Sequence, residues 1–315
     1  MGIILIIYLE ERVSLMWNSI KVIKWQALIM FVFTFATILF YGRFLDAQRH
    51  KPLVTALMFH DVDNKGPQAK EQDGLIITQK NFADNLQFLK EKGYRFISSK
   101  DMINLFDSNN KDTVNGSKNI LVTFDDGYRN NYYYAYPILK QKSIKAMINI
   151  IVYNVEKRDP AIPDHFLRWF EINEMRGSGL VEIQSHSYNS HYYAKLAKGQ
   201  KPALAGRRYI KGVLETYPQY LSRMRTDFNK SKLFIMKRTG EEPIAIAFPY
   251  GWASPEAKRV AKEEGFKIQI GIKQGVNSGK EDFNNLKRIT VKNSYSPKKL
   301  DDLIKYYTGR RILLP

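Results

Sequence analysis

Two of the five histidines in this 315-residue chain, His186 and His191, stand five positions apart in the run Ser185-His186-Ser187-Tyr188-Asn189-Ser190-His191. On a helix that offset turns through about 140°, so the rings would face apart; in a loop they can converge. The paired carboxylates of Asp125-Asp126-Gly127 offer a third ligand. Two adjacent acids at a buried position repel unless a cation neutralises at least one of them. Two imidazoles and one carboxylate make a three-ligand Zn²⁺ site that leaves one position open for water. The chain has no cysteine, which excludes disulfides, thiolate ligands and thiol nucleophiles, so a metal has only His, Asp and Glu to hold it. Each motif also has a plainer reading. Asp-Asp-Gly is a common surface turn, and a lone histidine is more often structural than a ligand. The conjunction of the two motifs favours the metal. Two further polar clusters, His60-Asp61 and Pro249-Tyr250-Gly251, are of the same kind.

All four clusters follow candidate strands. Short β-branched runs bounded by Gly, Asp or Asn are expected at Leu53–Phe59, Arg95–Ile97, Ile120–Phe124, Ala146–Val152, Leu180–Gln184, Ile244–Phe248, Lys267–Gly271 and Arg288–Val291. Helical patterns lie between them. Phe82, Leu86 and Leu89 repeat at helical spacing up to Gly93, and Ser254-Pro255-Glu256 reads as a capped helix start with Gly265 as its stop. Residues 130–142 read as a helix that Pro137 kinks, and 193–238 as a long, basic, mostly helical insertion. Strand–helix alternation of this kind predicts an α/β fold with parallel strands, open or closed into a barrel. In such folds the C-terminal ends of the strands share one side, so distant clusters meet by topology.

The formal net charge is +18, yet basic residues are scattered as singles and pairs (Lys157-Arg158, Arg207-Arg208, Arg310-Arg311) with no nucleic-acid motif. An anionic membrane or wall surface accounts for the charge more simply than nucleic acid does, and no nucleic-acid partner is expected. Trp25–Gly42 holds no charged residue and is flanked by Lys21, Lys24 and Arg43. Its length meets the minimum for a membrane span and favours an uncleaved anchor over a signal peptide, although Asp46-Ala47-Gln48 is a weak cleavage site. The expected organisation is a cytoplasmic leader over 1–24, the anchor over 25–42, a linker over 43–52, a catalytic domain over 53–292, and a basic C-terminal helix and tail over 293–315.

Thr123-Phe124-Asp125-Asp126-Gly127 resembles the first motif of the NodB-type polysaccharide deacetylases, carbohydrate esterase family 4. Within that family the chain is most similar to the intercellular-adhesin type of poly-N-acetylglucosamine deacetylase. Four features carry this: the five-residue histidine spacing, Ala247-Phe248-Pro249-Tyr250-Gly251, the early histidine in Met58-Phe59-His60-Asp61-Val62, and Lys287-Arg288-Ile289. The resemblance covers roughly residues 53–292 and implies a distorted or incomplete (β/α) barrel. Carried over, Asp126, His186 and His191 bind a divalent metal, expected to be Zn²⁺ with Co²⁺, Ni²⁺ or Fe²⁺ as alternatives. Asp125 is then the general base, His60 the general acid, and the backbone N–H of Tyr250 an oxyanion donor. Many family members carry an arginine where this chain has Ala247; Arg288 is the candidate to orient Asp125 in its place. The late Asp that tunes the acid histidine in the family has no clear match.

The implied activity is hydrolysis of N-acetyl groups from poly-β-1,6-N-acetyl-D-glucosamine, with peptidoglycan or chitooligosaccharides as alternative substrates. A catalytically dead glycan-binding protein would lack the acid, the base or the ligands, and this chain keeps them all. The expected setting is the cell membrane with the catalytic domain outside, or a secreted, surface-associated form. The exopolysaccharide synthase and export machinery are possible partners. Trp252 is the expected sugar contact; Tyr132, Tyr133, Tyr134 and Tyr136 are expected to pack the barrel exterior more readily than to stack on sugar.

Overall fold

The computed structural model describes residues 2–49, 52–65, 75–107, 118–157, 165–196 and 199–313. The chain forms two compact units, Met1–His50 and Lys51–Pro315. The first is one helix, α1 (Gly2–Arg49), whose segment Val22–Phe44 has a mean hydropathy of 1.9. Those 23 residues extend about 35 Å, enough to cross a bilayer core of about 30 Å. The helix does not stop at Gly42: the stretch expected to be a linker is helical as far as Arg49. Nothing crowds Gly42, and Arg43, Leu45, Ala47, Gln48 and Arg49 after it are good helix formers. His50 lies outside the described residues.

The second unit is built on an eight-stranded sheet covered by α2 (Gln79–Glu91), α3 (Ser99–Asp107), α4 (Tyr136–Lys142), α5 (Val152–Glu156), α6 (Trp169–Gly177), α7 (Tyr217–Thr239), α8 (Pro255–Glu263) and α9 (Pro297–Leu313). Its strands are β1 (Val54–Phe59), β2 (Arg95–Phe96), β3 (Asn119–Phe124), β4 (Ala146–Ile150), β5 (Val181–Ser185), β6 (Ala245–Ala247), β7 (Ile268–Ile270) and β8 (Arg288–Thr290). Their spatial order is β7-β6-β5-β4-β3-β1-β8, with β2 also paired to β3, and every pairing is parallel. The sheet curls until its ends meet, at an isolated parallel bridge between Ile270 and Leu286. Leu286 lies two residues before β8, so the closure is irregular and the barrel distorted.

Six-residue runs buried on both faces, as in β1 and β3, are what a parallel sheet covered on both sides requires. Alternate residues divide between two cores. Val54, Ala56, Leu121, Met147, Ala245 and Ala247 cluster on one face, while Leu57, Phe59, Val122, Phe124 and Ile148 pack against helices on the other. Register then sets the height of everything beyond the strand ends. Phe59 pairs with Phe124, Phe124 with Ile148, and Ile148 with Ile183. His60, Asp125 and the histidine loop after β5 therefore emerge at one rim.

Three elements depart from expectation. The described residues of 193–214 hold no α-helix; they form two hairpins, Tyr193–Leu196 with Gly199–Pro202 and Tyr209–Ile210 with Val213–Leu214, with a single 3₁₀ turn at Ala203–Ala205 between them. Gly199, Pro202 and Gly212 disfavour a long helix there, and the α-helix of this segment is α7 (Tyr217–Thr239), opened by a Thr216/Gln219 capping box. The expected kink at Pro137 takes the form of a π-helical turn over Asn131–Ala135, followed by an α-helix from Tyr136. Finally, the core continues past residue 292: α9 (Pro297–Leu313) buries Leu300 and Ile304 in the main core and packs on α2 (Gln79–Glu91). The tyrosines after the first motif pack that exterior. Tyr136 is buried, Tyr132 and Tyr134 are half-buried against the core, and Tyr133 is exposed.

Candidate active site

Asp125 and Asp126 follow β3 and diverge at once. The Asp125 N–H donates to Phe59 O at 3.0 Å, extending the ladder by one bond. Its side chain continues the inward row. Arg288, fully buried on β8, donates to both of its oxygens at 2.8 and 2.6 Å. The same guanidinium is fixed by Gly271 O at 2.9 Å and Thr123 Oγ1 at 3.2 Å, so the fork cannot swing away. Asn149 of β4 adds a third donor to Asp125 at 2.7 Å. Burial alone would raise the Asp125 carboxyl, but Arg288, His186 and His60 hold it well below the ordinary carboxylate range.

Asp126 takes a left-handed backbone, φ 70°, which turns its carboxylate away from Asp125 toward the histidine loop. Oδ1 of Asp126 lies 3.3 Å from Nε2 of His186 and 3.3 Å from Nε2 of His191. Among the described residues this trio is the one His/Asp/Glu group that could hold a metal ion, with ligand atoms all within 4.8 Å of one another.

Its chemistry fits a cation. The His186 Nδ1 lies 2.8 Å from Ala247 O; a carbonyl only accepts, so Nδ1 carries the hydrogen and Nε2 of the neutral ring carries a lone pair. That lone pair points at a buried carboxylate oxygen that itself has no hydrogen-bond partner. Two electron pairs face to face are unfavourable unless a positive charge lies between them. Ligand bonds of about 2.0–2.1 Å in a tetrahedral site also put neighbouring ligand atoms about 3.3 Å apart. Burial lowers His186, but the carboxylates of Asp126 and Asp125 lift it net above its ordinary value. His191 falls below its ordinary value through burial and the neighbouring His186. Burial raises Asp126 and the two histidines reverse it, leaving it below the ordinary carboxylate value.

His60 is held from behind. Asn131, on the π-helical turn, donates to His60 O at 2.7 Å and accepts from Val62 N at 3.3 Å. Its ring Nδ1 is buried without a hydrogen-bond partner. Burial lowers its pKa, and the attraction of Asp125 and Asp126 does not restore it. Asp61 and Asp63 do not fill the tuning role: both turn to the side-chain amide of Asn130, at 3.2 and 3.4 Å.

Tyr250 also has a left-handed backbone, φ 57°, and its ring packs tilted against His191 with centroids 4.3 Å apart; Tyr193 packs against it in turn, tilted, at 4.7 Å. Gly251 follows with φ +70°, where an added Cβ would lie 2.4 Å from Ile272 Cγ1, so only glycine fits the turn. Trp252 stands next to it, 55% exposed. Trp169 packs elsewhere, its indole N–H on Glu156 at 2.7 Å. His165 borders Tyr128 edge to face at 6.4 Å. Sequence reasoning missed Asn149 and Tyr128. Asn149 is a polar residue on the inward row of an apolar strand, a signal that alternation could have exposed. Tyr128 follows the Asp-Asp-Gly motif directly, and burial beside Asp126 raises its phenol above the ordinary value.

The model of the polysaccharide deacetylase family matches residues 112–268, the stretch that supplies the aspartates, both histidines and the Pro249-Tyr250-Gly251 turn. The chain carries a polysaccharide deacetylase domain. A poly-β-1,6-N-acetyl-D-glucosamine N-deacetylase of Escherichia coli (strain K12) is 24% identical over 256 residues, 77% of this chain and 37% of that protein. The enzyme of the same name from Staphylococcus aureus (strain MRSA252) is 25% identical over 206 residues, covering 65% of this chain and 64% of that one. This chain therefore spans little more than a third of the Escherichia coli relative. Among solved structures, a de-N-acetylase from Aggregatibacter actinomycetemcomitans aligns with a TM-score of 0.70 at 26% identity, over 80% of this chain and 99% of that one. His60 and Arg288 lie outside residues 112–268, and the parallel register brings them to the deacetylase motifs.

Proposed function

We propose that this chain hydrolyses N-acetyl groups of poly-β-1,6-N-acetyl-D-glucosamine, with Zn²⁺ at Asp126, His186 and His191. The observation that carries the reading is one rim with two differently prepared carboxylates. Asp125 is locked by Arg288, and Asp126 faces the Nε2 atoms of two imidazoles beside half-buried His60. The names of the relatives support the choice of glycan.

An amide resists water because its carbonyl is weakly electrophilic and its amine leaves poorly. A bound divalent cation supplies Lewis acidity, polarising the carbonyl and acidifying water enough for a weakly basic carboxylate to take its proton. Asp125 accepts that proton as the water oxygen bonds to the acetyl carbon. The Tyr250 N–H donates to the carbonyl oxygen as it gains charge. His60 then gives a proton to the sugar nitrogen, the C–N bond breaks, and acetate and a free amine result. Arg288 acts by aiming Asp125 and keeping it ionised. Trp252 offers a stacking face for the polymer beyond the reacting sugar.

The helix Val22–Phe44 supports a membrane-anchored enzyme acting at the outer face, where an exported polymer and its synthase would meet it. The test is release of acetate and free amine from β-1,6 and β-1,4 N-acetylglucosamine oligomers of equal length, with and without chelator. Chelator-sensitive turnover with higher kcat/KM on the β-1,6 series is expected. Preference for the β-1,4 series would move the substrate to peptidoglycan or chitin; no release from either would overturn the reaction.

A further inference from the structure

Both histidine ligands sit on a loop whose backbone would not hold this shape unaided. Ser187 has φ 71°, a left-handed conformation that side chains rarely adopt. The carbonyls of the loop are tied on one side, Val152 N to Ser187 O at 3.3 Å and Tyr153 N to Tyr188 O at 2.9 Å. Its N–H groups are tied on the other side by α7. One carboxylate oxygen of Asp227 accepts from Tyr188 N at 3.0 Å and the other from Asn189 N at 2.9 Å. One turn along the helix, Ser231 Oγ bonds Ser185 Oγ at 2.8 Å, and Ser185 Oγ accepts from Ser187 N at 3.1 Å. The two consecutive N–H groups midway between the histidines are thus held by a single acid from a helix outside the sheet.

We propose that Asp227 is a positioning residue for the metal site: its two-oxygen grip on Tyr188 and Asn189 sets the separation of His186 and His191 and thereby the metal affinity. This rests on reading Asp126, His186 and His191 as the ligands. A carboxylate suits the task because both of its oxygens accept. An amide of the same shape offers one acceptor and turns an N–H₂ donor against a backbone donor. Groups that orient metal ligands typically change affinity by about 10–100-fold when removed.

The experiment measures Zn²⁺ affinity by competition with a fluorescent chelator, and the Co²⁺ absorption spectrum, for the full chain and for Asp227→Asn, Asp227→Ala and Thr226→Ala. Thr226 is exposed on the same helix and serves as the control. We expect Zn²⁺ binding about 10–100-fold weaker in Asp227→Asn, with weakened Co²⁺ d–d bands, and wild-type affinity in Thr226→Ala. If Asp227→Ala does not fold, the isosteric Asn variant still decides. Wild-type affinity in a folded Asp227→Asn overturns the proposal, even if its melting temperature has dropped, because the acid would then serve stability alone. Absence of stoichiometric Zn²⁺ binding in the wild type would overturn the ligand reading and this proposal together. Zn²⁺ binding without acetate release would overturn the enzymatic reading and leave the grip of Asp227 standing.

Discussion

Asp125 and Asp126 share a peptide bond and differ in every partner, so their substitutions should separate. Asp126→Ala, His186→Ala or His191→Ala should abolish stoichiometric metal binding, read by metal analysis after dialysis, while circular dichroism stays that of the folded domain. Retention of the metal by the double variant His186→Ala/His191→Ala would contradict the assignment. Asp125→Asn should keep the metal and lose about 100-fold or more in kcat, as should His60→Ala. Near wild-type turnover in either would remove the residue from its role. Asp125 also stabilises the fold, because a fully buried Arg288 depends on it; stripping one partner from such a pair costs about 3–5 kcal/mol. The folded carboxyl titrates below its unfolded value, so this stability is complete above about pH 5 and is lost as pH falls through the depressed value. The stability difference between wild type and Asp125→Asn should therefore be constant from pH 5 upward and shrink on acidification in denaturant titrations.

Single elements carry the site by backbone shape as much as by side chains. Asp126, Ser187 and Tyr250 are all left-handed and all belong to the loops at the rim. Such strain costs about 1–3 kcal/mol per residue and persists only where the surroundings over-determine it. Gly251→Ala tests one such turn. With Ile272 at 2.4 Å from the new Cβ, it should lose roughly 2 kcal/mol or more and displace Tyr250. A lower melting temperature together with a lower kcat is expected; an unchanged melting temperature would mean the turn relaxes freely. Helix α9 is the other test at this scale. Leu300 is fully buried in the main core and Asp301 accepts the Tyr94 hydroxyl at 2.8 Å. Leu300→Ala should cost about 2–5 kcal/mol by thermal or denaturant unfolding. A cost under about 1 kcal/mol would make α9 an appendage.

For the molecule as a whole, the two compact units allow a clean cut. Residues 22–44 belong to the first unit, and the sheet with its two cores belongs wholly to the second. A truncated chain beginning at Lys51 should be soluble and monomeric, and should turn over soluble oligomers like the full chain in detergent. Aggregation of the truncated form, with the full chain stable in detergent, would show that the helix supports the catalytic unit. The high positive charge fits work beside an anionic surface, and binding to anionic vesicles should weaken with salt.

The residue types and the strand pattern were legible in the chain. Strands declare themselves by short β-branched runs, and the deacetylase motifs are local strings that need no fold to be read. The eight expected strands all occur, within a residue or two of their bounds. What lay beyond reach was anything that depends on the partner of a side chain. That Arg288 reaches Asp125 follows from β8 pairing with β1 and β1 with β3, a register no local pattern specifies. The hairpins at 193–214 read as helix because basic, Tyr-rich stretches have no strong period, and turns and packing decided them. The extent of the core at the C-terminus escaped for the same reason: α9 is amphipathic only relative to the α2 surface it covers. Asp227 gave no signal at all in sequence, being one acid in a polar helix. Only the folded chain sets both of its oxygens against the loop between His186 and His191.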